Sequence, residues 1–496
     1  MSAALDLHTA AAARAIDRHA IDALGIAGTV LMERAGAAAF VLLRERWPQA
    51  RRIGVACGTG NNGGDGYVLA RLARQAGLDP VLLATGDPGA GEARAAAAAW
   101  ASAGGACTAA EAALDSGLPA VDVWVDALLG IGLSRPPDDG LARLIQAIGR
   151  SGRPVLALDV PSGVDADSGH APGAALQADA TISFITAKRG LFSGRGRLLS
   201  GRRHLDRLDV PGDAFAGHPP AAVAMGRRAL VDALPARAAG SHKGDHGRVL
   251  CVGGDSGLGG AIALCAEAAL RSGAGLVSVA TRPAHVAAVL ARRPEVMARG
   301  VEDGEALEAA LQAADVLALG PGLGRSEWSR ALWRAALATG LPVVLDADAL
   351  NLLAESAQAL PASCVLTPHP GEAARLLDDS VAAVESDRFG AAAALASRYS
   401  ATVVLKGPGT LVASEGRATR VIDAGNPGMA TGGMGDVLTG VVASLLAQGH
   451  APFEAGWVGA LLHAAAADRA AGTAPRGLLP SDLMAPLRTL ANPEAG

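Results

Sequence analysis

The sequence predicts an α/β protein with two three-layer domains in succession, each a parallel sheet covered by helices on both faces. Three observations support this prediction. The chain of 496 residues is longer than one ordinary domain. Half of the residues are apolar and 18% are charged, as expected of a well-buried globular protein. Short aliphatic stretches alternate with glycine-rich turns and alanine-rich helical stretches, which is typical of a parallel sheet.

Two helices are predicted within residues 5–46, where alanine-rich turns carry spaced charges and GIAGT at 25–29 separates them. The alternating units follow these helices. Their predicted strands are 52–57, 80–84, 121–126, 154–159 and 179–185. Together these elements form a predicted N-terminal domain at 1–215.

The segment LDVPGDAFAGHPPAAV at 208–223 interrupts this pattern with three prolines and is predicted to link the domains. The alternation then restarts. The predicted strands are 248–252, 275–280, 315–319, 342–346, 364–367 and 401–405. A helix is predicted at 436–447, and the predicted C-terminal domain spans 224–496.

The composition argues against several classes of function. The net charge is −5 without a basic tract, which disfavours nucleic acid or an anionic membrane as a partner. No apolar run of transmembrane length lacks glycine or charge. The five cysteines are scattered and no signal peptide opens the chain, which fits a reduced compartment. We expect a cytoplasmic homo-oligomer whose partners are small molecules.

Polar side chains follow three of the predicted N-terminal strands. They are Asn61, Asn62, Asp65, Asp126, Asp159 and Ser162. If the strands are neighbours, these side chains share one crevice at the carboxyl ends of the sheet. Like charges in one crevice require a cation or a proton among them. Asn62, Asp126 and Ser162 offer oxygen ligands for a hard cation, which leaves a carboxylate free for proton transfer.

Each of these residues also has a purely structural interpretation. Asn and Asp are common in glycine turns, and Asp65 could be the N-cap of a helix. GTGNNGGDG at 58–66 also contains G-x-G-x-x-G, the spacing of a dinucleotide-binding turn, with Asp87 near the place of its ribose-binding acid. Asp65 opposes that interpretation, because its charge would repel a phosphate at the helix start. A hydride-transferring dehydrogenase is therefore the weaker interpretation.

Three motifs together resemble those of the NAD(P)H-hydrate epimerase domain. They are NNGGDG at 61–66, DALLGIGL at 126–133 and DVPSGVD at 159–165, with LMERAG at 31–36 upstream. The resemblance covers nearly all of 5–215 and implies a Rossmann-like sheet that binds hydrated NADH and NADPH. It implies Asp159 as the acid/base, with Asp65 as the second candidate.

The same resemblance implies further site residues. Those implied to contact the substrate are Asn61, Asn62, Gly63, Gly64, Asp65, Gly130, Ile131, Gly132, Leu133, Ser134, Arg135, Pro136 and Asp159. Those implied to hold potassium (K⁺) are Asn62, Asp126 and Ser162.

Glycine-rich turns also follow the predicted strands of the C-terminal domain. They are GPGLG at 320–324, TPHPGE at 367–372 and KGPGT at 406–410. Small residues around Ala261 permit close approach of a planar ligand, but they also allow tight helix packing. His369 could be a solvated loop residue. Lys406 could be a cation that faces phosphate or an ordinary surface lysine.

The stretch GGMGD at 432–436 stands at the start of an apolar helix. Free N–H groups in such a turn, with the helix dipole behind them, form an anion site. Asp436 stands beside it, where phosphoryl transfer needs a carboxylate to take the proton of the acceptor hydroxyl. The structural alternative is an N-cap aspartate, but the glycines favour catalysis.

G-G-x-G-D at a helix start is similar to the ribokinase-like superfamily. With GRVL at 247–250 and the three turns above, it resembles the nucleotide-dependent NAD(P)H-hydrate dehydratase over about 225–490. The resemblance implies that ADP, or ATP in some relatives, acts with Mg²⁺ to phosphorylate the hydrate, from which phosphate is then eliminated. The residues implied to contact the hydrate are Ala261, Gly322, Gly324, His369 and Asp436, with Asp436 as the base. Those implied to hold the nucleotide are Lys406, Gly407, Pro408, Gly409, Thr410, Asn426, Gly432, Gly433 and Gly435.

Both resemblances together imply a bifunctional metabolite-repair enzyme. One domain would interconvert the R and S hydrates, and the other would dehydrate the S form. Two alternatives remain open. The chain could be a ribokinase-like kinase of a small molecule with an accessory N-terminal domain, or its N-terminal domain could bind ligand without turnover.

Overall fold

The structure is a computed structural model that describes residues 3–133, 135–356 and 358–492. The chain forms two compact units. One contains Asp6–Ala222, and the other contains residues 3–5 and the described residues from Val223 onward.

The N-terminal unit is built on a parallel sheet. Strands in this part of the chain are β1 (Ala4–His8), β2 (Arg52–Cys57), β3 (Asp79–Ala84), β4 (Cys107–Ala109), β5 (Val123–Ala127), β6 (Val155–Leu158), β7 (Ala180–Phe184), β8 (Ala187–Lys188) and β9 (Arg202–Asp206). The order in the sheet is β4-β3-β2-β5-β6-β7-β9, and all neighbours are parallel. Leu7 and His8 of β1 pair with β8. The helices are α1 (Ala10–Asp22), α2 (Gly28–Arg46), α3 (Asn61–Gln75), α4 (Glu92–Ser102), α5 (Ala110–Ser116), α6 (Asp139–Arg150) and α7 (Gly194–Leu199).

Both faces of this sheet are buried. Val123 and Val125 of β5 pack into one apolar cluster with α2, α3 and α4. Trp124, which points the other way, packs into a second cluster with α5 and α6. Successive strand residues point to opposite faces, so an unbroken apolar strand indicates helices on both sides. The three-layer arrangement follows from this burial.

The C-terminal unit contains a larger, mostly parallel sheet. Its strands are β10 (Ala222–Met225), β11 (Arg248–Val252), β12 (Leu276–Thr281), β13 (Met297–Gly300), β14 (Val316–Leu319), β15 (Val343–Leu345), β16 (Cys364–Leu366), β17 (Thr402–Leu405), β18 (Leu411–Ala413) and β19 (Thr419–Ile422). The order is β13-β12-β11-β14-β15-β16-β17-β18-β19-β10. Neighbours from β13 to β17 are parallel, and β18 is antiparallel to β17 and to β19.

Helices cover this second sheet. They are α8 (Ala229–Ala233), α9 (Gly259–Arg271), α10 (Pro283–Arg292), α11 (Gly304–Leu311), α12 (Glu327–Ala338), α13 (Asp348–Glu355), α14 (Pro370–Leu377), α15 (Val381–Ser386), α16 (Arg388–Tyr399), α17 (Met434–Ala447), α18 (Pro452–Ala471) and α19 (Met484–Leu490). Val249 and Cys251 of β11 pack against α9, α17 and α18. Leu250 and Val252 alternate with them and are buried as well, so the opposite face is also covered.

The predicted α/β fold class is confirmed, and the predicted central strands match the structure within about two residues at each end. Several strands were missed. β4 is fully exposed, and β9 has the charged sequence RRHLD, so neither shows a continuous apolar run. Within the described residues, no helix combines the length and apolarity that crossing a bilayer requires.

Candidate functional site

A cleft of about 1180 Å³ lies at the carboxyl ends of the strands in the N-terminal unit. The order of the sheet reverses between β2 and β5, and parallel sheets bind ligands at such a point. The predicted residues that line this cleft are Asn61, Asn62, Asp65, Gly130, Ile131, Gly132, Leu133, Arg135, Pro136 and Asp159. The predicted residue Ser134 lies outside the described residues.

The glycines of NNGGDG are needed for close packing at the start of α3. A Cβ on Gly63 would lie 2.0 Å from the carbonyl oxygen of Gly58. A Cβ on Gly64 would lie 2.5 Å from Cε of Met32. Neither position tolerates a side chain without movement of the neighbours, so these glycines hold α3 in place beneath the cleft.

Asp65 lies in the second turn of α3. The helix begins at Asn61 with Gly60 as its N-cap, so the interpretation of Asp65 as a cap is wrong. The Asp65 side chain lines the cleft although the residue is buried. Burial raises the pKa of Asp65 well above its usual value, and the charge of Asp159 raises it further. Asp65 is therefore suited to hold a proton and release it to a ligand.

Asp159 follows β6 and is held in an unusual conformation. Its φ of +63° lies in the left-handed region, and its N–H donates to the carbonyl oxygen of Ile182 (2.8 Å). Lys188 Nζ donates to Asp159 Oδ1 and to the carbonyl oxygen of Phe184 (2.9 Å). Lys188 is only 2% exposed. This buried ion pair orients the Asp159 carboxylate at the edge of the cleft.

Lys188 was not among the predicted site residues. The residue belongs to β8, a strand of two residues without a glycine-rich turn, so no motif marked it. Asp17, another cleft residue, was missed because it lies inside α1. Burial raises the pKa of Asp17, as does the charge of Glu92 across the cleft.

Of the three residues predicted to hold a cation, Asp126 and Ser162 form a buried hydrogen-bonded pair, and Asn62 lines the cleft. Asp126 is fully buried and accepts hydrogen bonds from the hydroxyl (2.5 Å) and the N–H (2.7 Å) of Ser162. Leu129 N–H donates to the same hydroxyl (2.9 Å). At the next residue, a Cβ on Gly130 would lie 3.4 Å from Cβ of Asn62. These contacts connect Asn62 to the Asp126–Ser162 pair through one short turn.

Two features of this cluster fit a cation. The amide oxygen and nitrogen of Asn62 are buried and lack hydrogen-bond partners among the described residues. Burial raises the pKa of Asp126 to about 6, although hydrogen bonds from Ser162 and Leu128 act against it. A buried carboxylate and an unsatisfied amide oxygen are hard donors that a bound cation would satisfy.

In the C-terminal unit, Gly432 and Gly433 precede α17, and Gly435 lies in its first turn. The helix begins at Met434 after Gly433, whose φ of +95° favours glycine. Asp436 is the third residue of the helix and not its N-cap, so the capping interpretation is wrong here too. Burial raises the pKa of Asp436 to about 6, and the charge of Asp346 contributes. A base with this pKa is largely ionised at neutral pH and can still accept a proton.

Asp346, at the end of β15, forms the centre of this second site. Lys406 Nζ lies 2.7 Å from its Oδ1 and 3.6 Å from Oε2 of Glu372. The hydroxyls of Thr367 and Thr439 also donate hydrogen bonds to the Asp346 carboxylate, and both bonds are 2.9 Å long. Burial alone would raise the pKa of Asp346, but these partners outweigh it and lower the pKa. Lys406 is therefore not an ordinary surface lysine.

Asp346 was not among the predicted site residues. A Cβ on Gly435 would lie 3.2 Å from Oδ2 of Asp346 and 3.4 Å from Nζ of Lys406. The structure therefore brings the 432–435 turn and Lys406 together at Asp346. An acidic residue directly after a buried strand was the available signal, as at Asp159.

Gly322 and Gly324 lie in the turn after β14, and Gly322 lies next to Ala261 in the first turn of α9. A Cβ on Gly322 would lie 3.1 Å from Cβ of Ala261. Asp255 N–H donates to the carbonyl oxygen of Gly322 (2.7 Å), and Gly324 N–H donates to Oδ2 of Asp348 (2.8 Å). These contacts place the two turns side by side next to the start of α13.

His369 and Asn426 have local structural partners. His369 is the N-cap of α14: its Nδ1 accepts from Gly371 N–H (2.9 Å), and its own N–H donates to Glu372 Oε2 (2.8 Å). Burial lowers the pKa of His369, so the ring is neutral near pH 7. Asn426 Nδ2 donates to Oδ1 of Asp468 (2.9 Å). Both residues therefore shape their turns, whatever ligand they contact.

The KGPGT turn at 406–410 contacts the side chain of a buried arginine, Arg388. Arg388 Nη2 donates to the carbonyl oxygen of Lys406 (3.0 Å), and Nη1 donates to Oε1 of Glu385 (2.7 Å). Gly407 has a φ of +139°, and a Cβ there would lie 2.8 Å from Arg388 Nη2. Arg388 thus holds the backbone at the start of this turn through its hydrogen bond to the Lys406 carbonyl oxygen.

Two family models match the chain. The one described as "YjeF-related protein N-terminus" matches residues 28–190, and the one described as "NAD(P)H-hydrate dehydratase" matches residues 249–488. Each match contains most of the residues that form the corresponding site.

Relatives match nearly the whole chain. A bifunctional NAD(P)H-hydrate repair enzyme of Coxiella burnetii is 46% identical over 491 residues, covering 97% of this chain and 98% of the relative. The enzyme of the same name from Escherichia coli is 45% identical over 481 residues, covering 96% and 92%. The crystal structure of a ribokinase-like superfamily protein from Enterococcus faecalis is 31% identical, with a TM-score of 0.51, and the match covers 54% of this chain and 94% of that one.

Proposed function

This chain belongs to the family of bifunctional NAD(P)H-hydrate repair enzymes, and from that premise we propose how its residues divide the two reactions. The N-terminal cleft interconverts the R and S hydrates of NADH and NADPH. The C-terminal site dehydrates the S hydrate at the expense of ADP or ATP. The observation that carries this assignment is the position of Asp436, a base that is largely ionised at neutral pH and lies directly beside a glycine turn that can hold phosphate.

In the epimerase reaction, the carbon next to the ring nitrogen loses and regains its hydroxyl. We assign the proton donor to Asp65, because burial and the charge of Asp159 raise its pKa and so favour the protonated form. Proton transfer to the hydroxyl allows it to leave as water, while the nitrogen lone pair forms a double bond to the carbon. Water then adds to the opposite face and loses a proton. We assign Asp159, oriented by Lys188, to accept it.

The residues Asn62, Asp126 and Ser162 would hold K⁺, for which their oxygen atoms are suited. When bound, the ion supplies a fixed positive charge below a cleft that contains Asp65 and Asp159. The cluster offers one carboxylate together with neutral oxygens, which favours a monovalent over a divalent cation. Asn62 would then hold the ion through its amide oxygen.

In the dehydratase reaction, the turns at 406–410 and 426–435 would hold the nucleotide. The N–H groups at the start of α17 would face its phosphates. Ala261, Gly322 and Gly324 would contact the hydrate, where small residues let a planar ring approach the backbone. His369 would contact it from the start of α14.

Asp436 takes the proton of the hydrate hydroxyl while that oxygen forms a bond to the terminal phosphorus of the nucleotide. The bond between this phosphorus and its bridging oxygen breaks. Phosphate then leaves the carbon, the neighbouring carbon loses a proton, and the ring double bond is restored. Phosphate is a far better leaving group than hydroxide, which is why the reaction needs a nucleotide.

Mg²⁺ would enter this site with the nucleotide and offset the charge of its phosphates. The carboxylate of Asp346 is already engaged by Lys406, Thr367 and Thr439. We therefore assign the metal to the phosphates of the nucleotide rather than to a dedicated carboxylate site of the protein.

The test uses the full chain with separated R and S hydrates, ADP and Mg²⁺. Recovery of the reduced-nicotinamide absorbance and release of free phosphate are measured together. The unaltered chain should clear both epimers. Asp159→Asn should clear only the S epimer, and Asp436→Asn should interconvert the epimers without clearing either.

Other outcomes would contradict the assignment. A phosphate ester that persists, without recovery of absorbance, would indicate a small-molecule kinase. If Asp159→Asn clears both epimers at the unaltered rate, Asp159 does not catalyse the interconversion. This result would favour an N-terminal unit that binds ligand without turnover.

A further inference from the structure

A second cavity, of about 570 Å³, lies within the C-terminal unit. His246, which precedes β11, contributes to its lining, as do Ser272 and Gly273 between α9 and β12. The cavity is therefore at the amino ends of the strands, whereas the dehydratase residues follow the carboxyl ends. β11 has five residues, so the two ends of the sheet are about 16 Å apart. The two sites are distinct.

The lining of this cavity is strongly basic. Its charged residues are Arg237, Arg271, Arg293, Arg488, Glu267 and Glu295. Glu267 is buried and already bound by two guanidinium groups, those of Arg292 (3.0 Å) and Arg293. Among the described residues, Arg271 and Arg488 have no carboxylate partner. The cavity therefore carries positive charge that the protein itself does not balance.

A buried hydroxyl in the cavity also lacks a partner. Ser272 is 3% exposed, lines the cavity and has no hydrogen bond to its Oγ among the described residues. Nε of Arg293, buried in the same lining, is likewise unsatisfied within that part of the chain. Unpaired buried polar groups are uncommon and costly, so both atoms indicate a missing acceptor.

Two carbonyl groups that directly follow α9 accept hydrogen bonds from side chains of the protein. Gln448 Nε2 donates to the carbonyl oxygen of Ser272 (3.1 Å), and Arg237 donates to that of Gly273. These carbonyls are thus capped by donors of the protein. These two carbonyl groups therefore repel an anion in the cavity less than unengaged carbonyl groups would.

We propose that this cavity binds a phosphate ester of a small organic molecule. Its phosphate is held by Arg271, Arg488 and the hydroxyl of Ser272, since guanidinium groups match phosphate oxygens in pairs. Leu234 and Leu270 form an apolar wall beside these groups. A volume of about 570 Å³ exceeds what inorganic phosphate needs and lies in the usual range for metabolite pockets.

Arginine labelling in the full chain tests the proposal at the residues themselves. The extent of phenylglyoxal modification at Arg271 and Arg488 is measured by peptide mass spectrometry. The exposed Arg334 is the internal control. The added probes are ADP, ribose 5-phosphate and inorganic phosphate, at constant ionic strength. We expect an organic phosphate to protect Arg271 and Arg488, but not Arg334, at a concentration about tenfold lower than inorganic phosphate requires.

Three results would overturn the proposal. The first is that no probe protects the two arginines, and the second is that chloride protects them equally well. The third is equal protection by inorganic phosphate, which would identify a site for the free anion instead of an ester.

Substitutions give an independent readout. The double variant Arg271→Gln/Arg488→Gln should bind the organic phosphate that protects these arginines in the unaltered chain about tenfold or more weakly. The reason is that charge-assisted hydrogen bonds to the phosphate are lost. Arg334→Gln should leave it unchanged, and all variants should dehydrate the S hydrate at the unaltered rate. If the double variant folds poorly, Ser272→Ala, which removes only the unpaired hydroxyl, replaces it. Unchanged affinity in the variant that folds would refute the site.

Discussion

Lys406 Nζ lies 2.7 Å from Oδ1 of Asp346, and the pair stands directly beside the start of α17. The Lys406 charge has two consequences. It compensates a carboxylate that is 1% exposed, and it lowers the pKa of the neighbouring Asp436. Asp346 acts on Asp436 in the opposite direction. The pKa of Asp436 therefore depends on this ion pair.

We predict that Lys406→Met moves the acidic limb of the dehydratase pH profile to higher pH by about one unit. Without the ammonium group, Asp346 and burial raise the pKa of Asp436 unopposed. The measurement is kcat/KM for the S hydrate against pH. Lys243→Met, an exposed lysine of the same unit, is the matched control and should not move the limb. A lower rate with an unmoved limb would show that Lys406 acts only on nucleotide binding.

For the unaltered chain, we predict that dehydration is lost as the pH falls through about 6, the pKa to which burial raises Asp436. The sign follows from the role of Asp436 as a base, since the protonated acid cannot take the hydroxyl proton. Asp436→Asn should lower kcat about 10²–10⁴-fold and abolish this limb. Epimerisation by the same preparation is the internal control and should persist. An unchanged acidic limb in Asp436→Asn would exclude Asp436 as its origin.

The sequence was sufficient to predict much of this arrangement. Central strands such as 52–57 and 248–252 contain only apolar residues after an initial exposed arginine, because both of their faces are buried, and so they can be predicted without a structure. The glycine turns that follow them mark the carboxyl edges of the sheets. Asp65 and Asp436 lie near the starts of the helices that follow such turns, and their roles in the sites remain predictions.

The partners of these residues could not be predicted in the same way. Lys188 reaches Asp159 across 29 positions of sequence, and Lys406 reaches Asp346 across 60. Such pairing depends on strand order, which local patterns do not contain. One compositional signal was available: lysine occurs only at positions 188, 243 and 406, and two of these three lysines form ion pairs with aspartates of the two sites.

Lys188→Met is predicted to impair the epimerase and destabilise the fold. It leaves the carboxylate of Asp159 without its ammonium partner, and breaking a buried pair costs about 3–5 kcal/mol of unfolding free energy. Interconversion of R and S hydrates should be slowed strongly, whereas clearance of pure S hydrate should continue. Urea denaturation and separation of the epimers measure the two effects. Lys188→Arg keeps the charge and should recover part of the stability.

A Lys188→Met chain that is as stable as the unaltered one, and epimerises as fast, would contradict the role of this pair. Loss of stability with normal epimerisation in the folded fraction would assign Lys188 to the fold alone.

Potassium is predicted to stabilise the chain above the pKa of Asp126. Burial raises that pKa from 3.8 to about 6, so ionising this carboxylate in the fold costs about 3 kcal/mol without a cation. Stability is therefore lost as the pH rises through about 6, and a bound K⁺, which needs the ionised form, restores it. Replacing choline chloride by potassium chloride should raise Tm at about pH 8 and have little effect at about pH 5.

Two substitutions locate this effect. Asp126→Asn removes the charge that the ion would balance, so its Tm should no longer respond to K⁺ at either pH. Asp122→Asn alters an exposed carboxylate of the same unit and should respond like the unaltered chain. An equal K⁺ response in Asp126→Asn would place the ion elsewhere. An equal response at both pH values would show that ionisation of Asp126 is not what the cation compensates, because only the charged carboxylate gains from it.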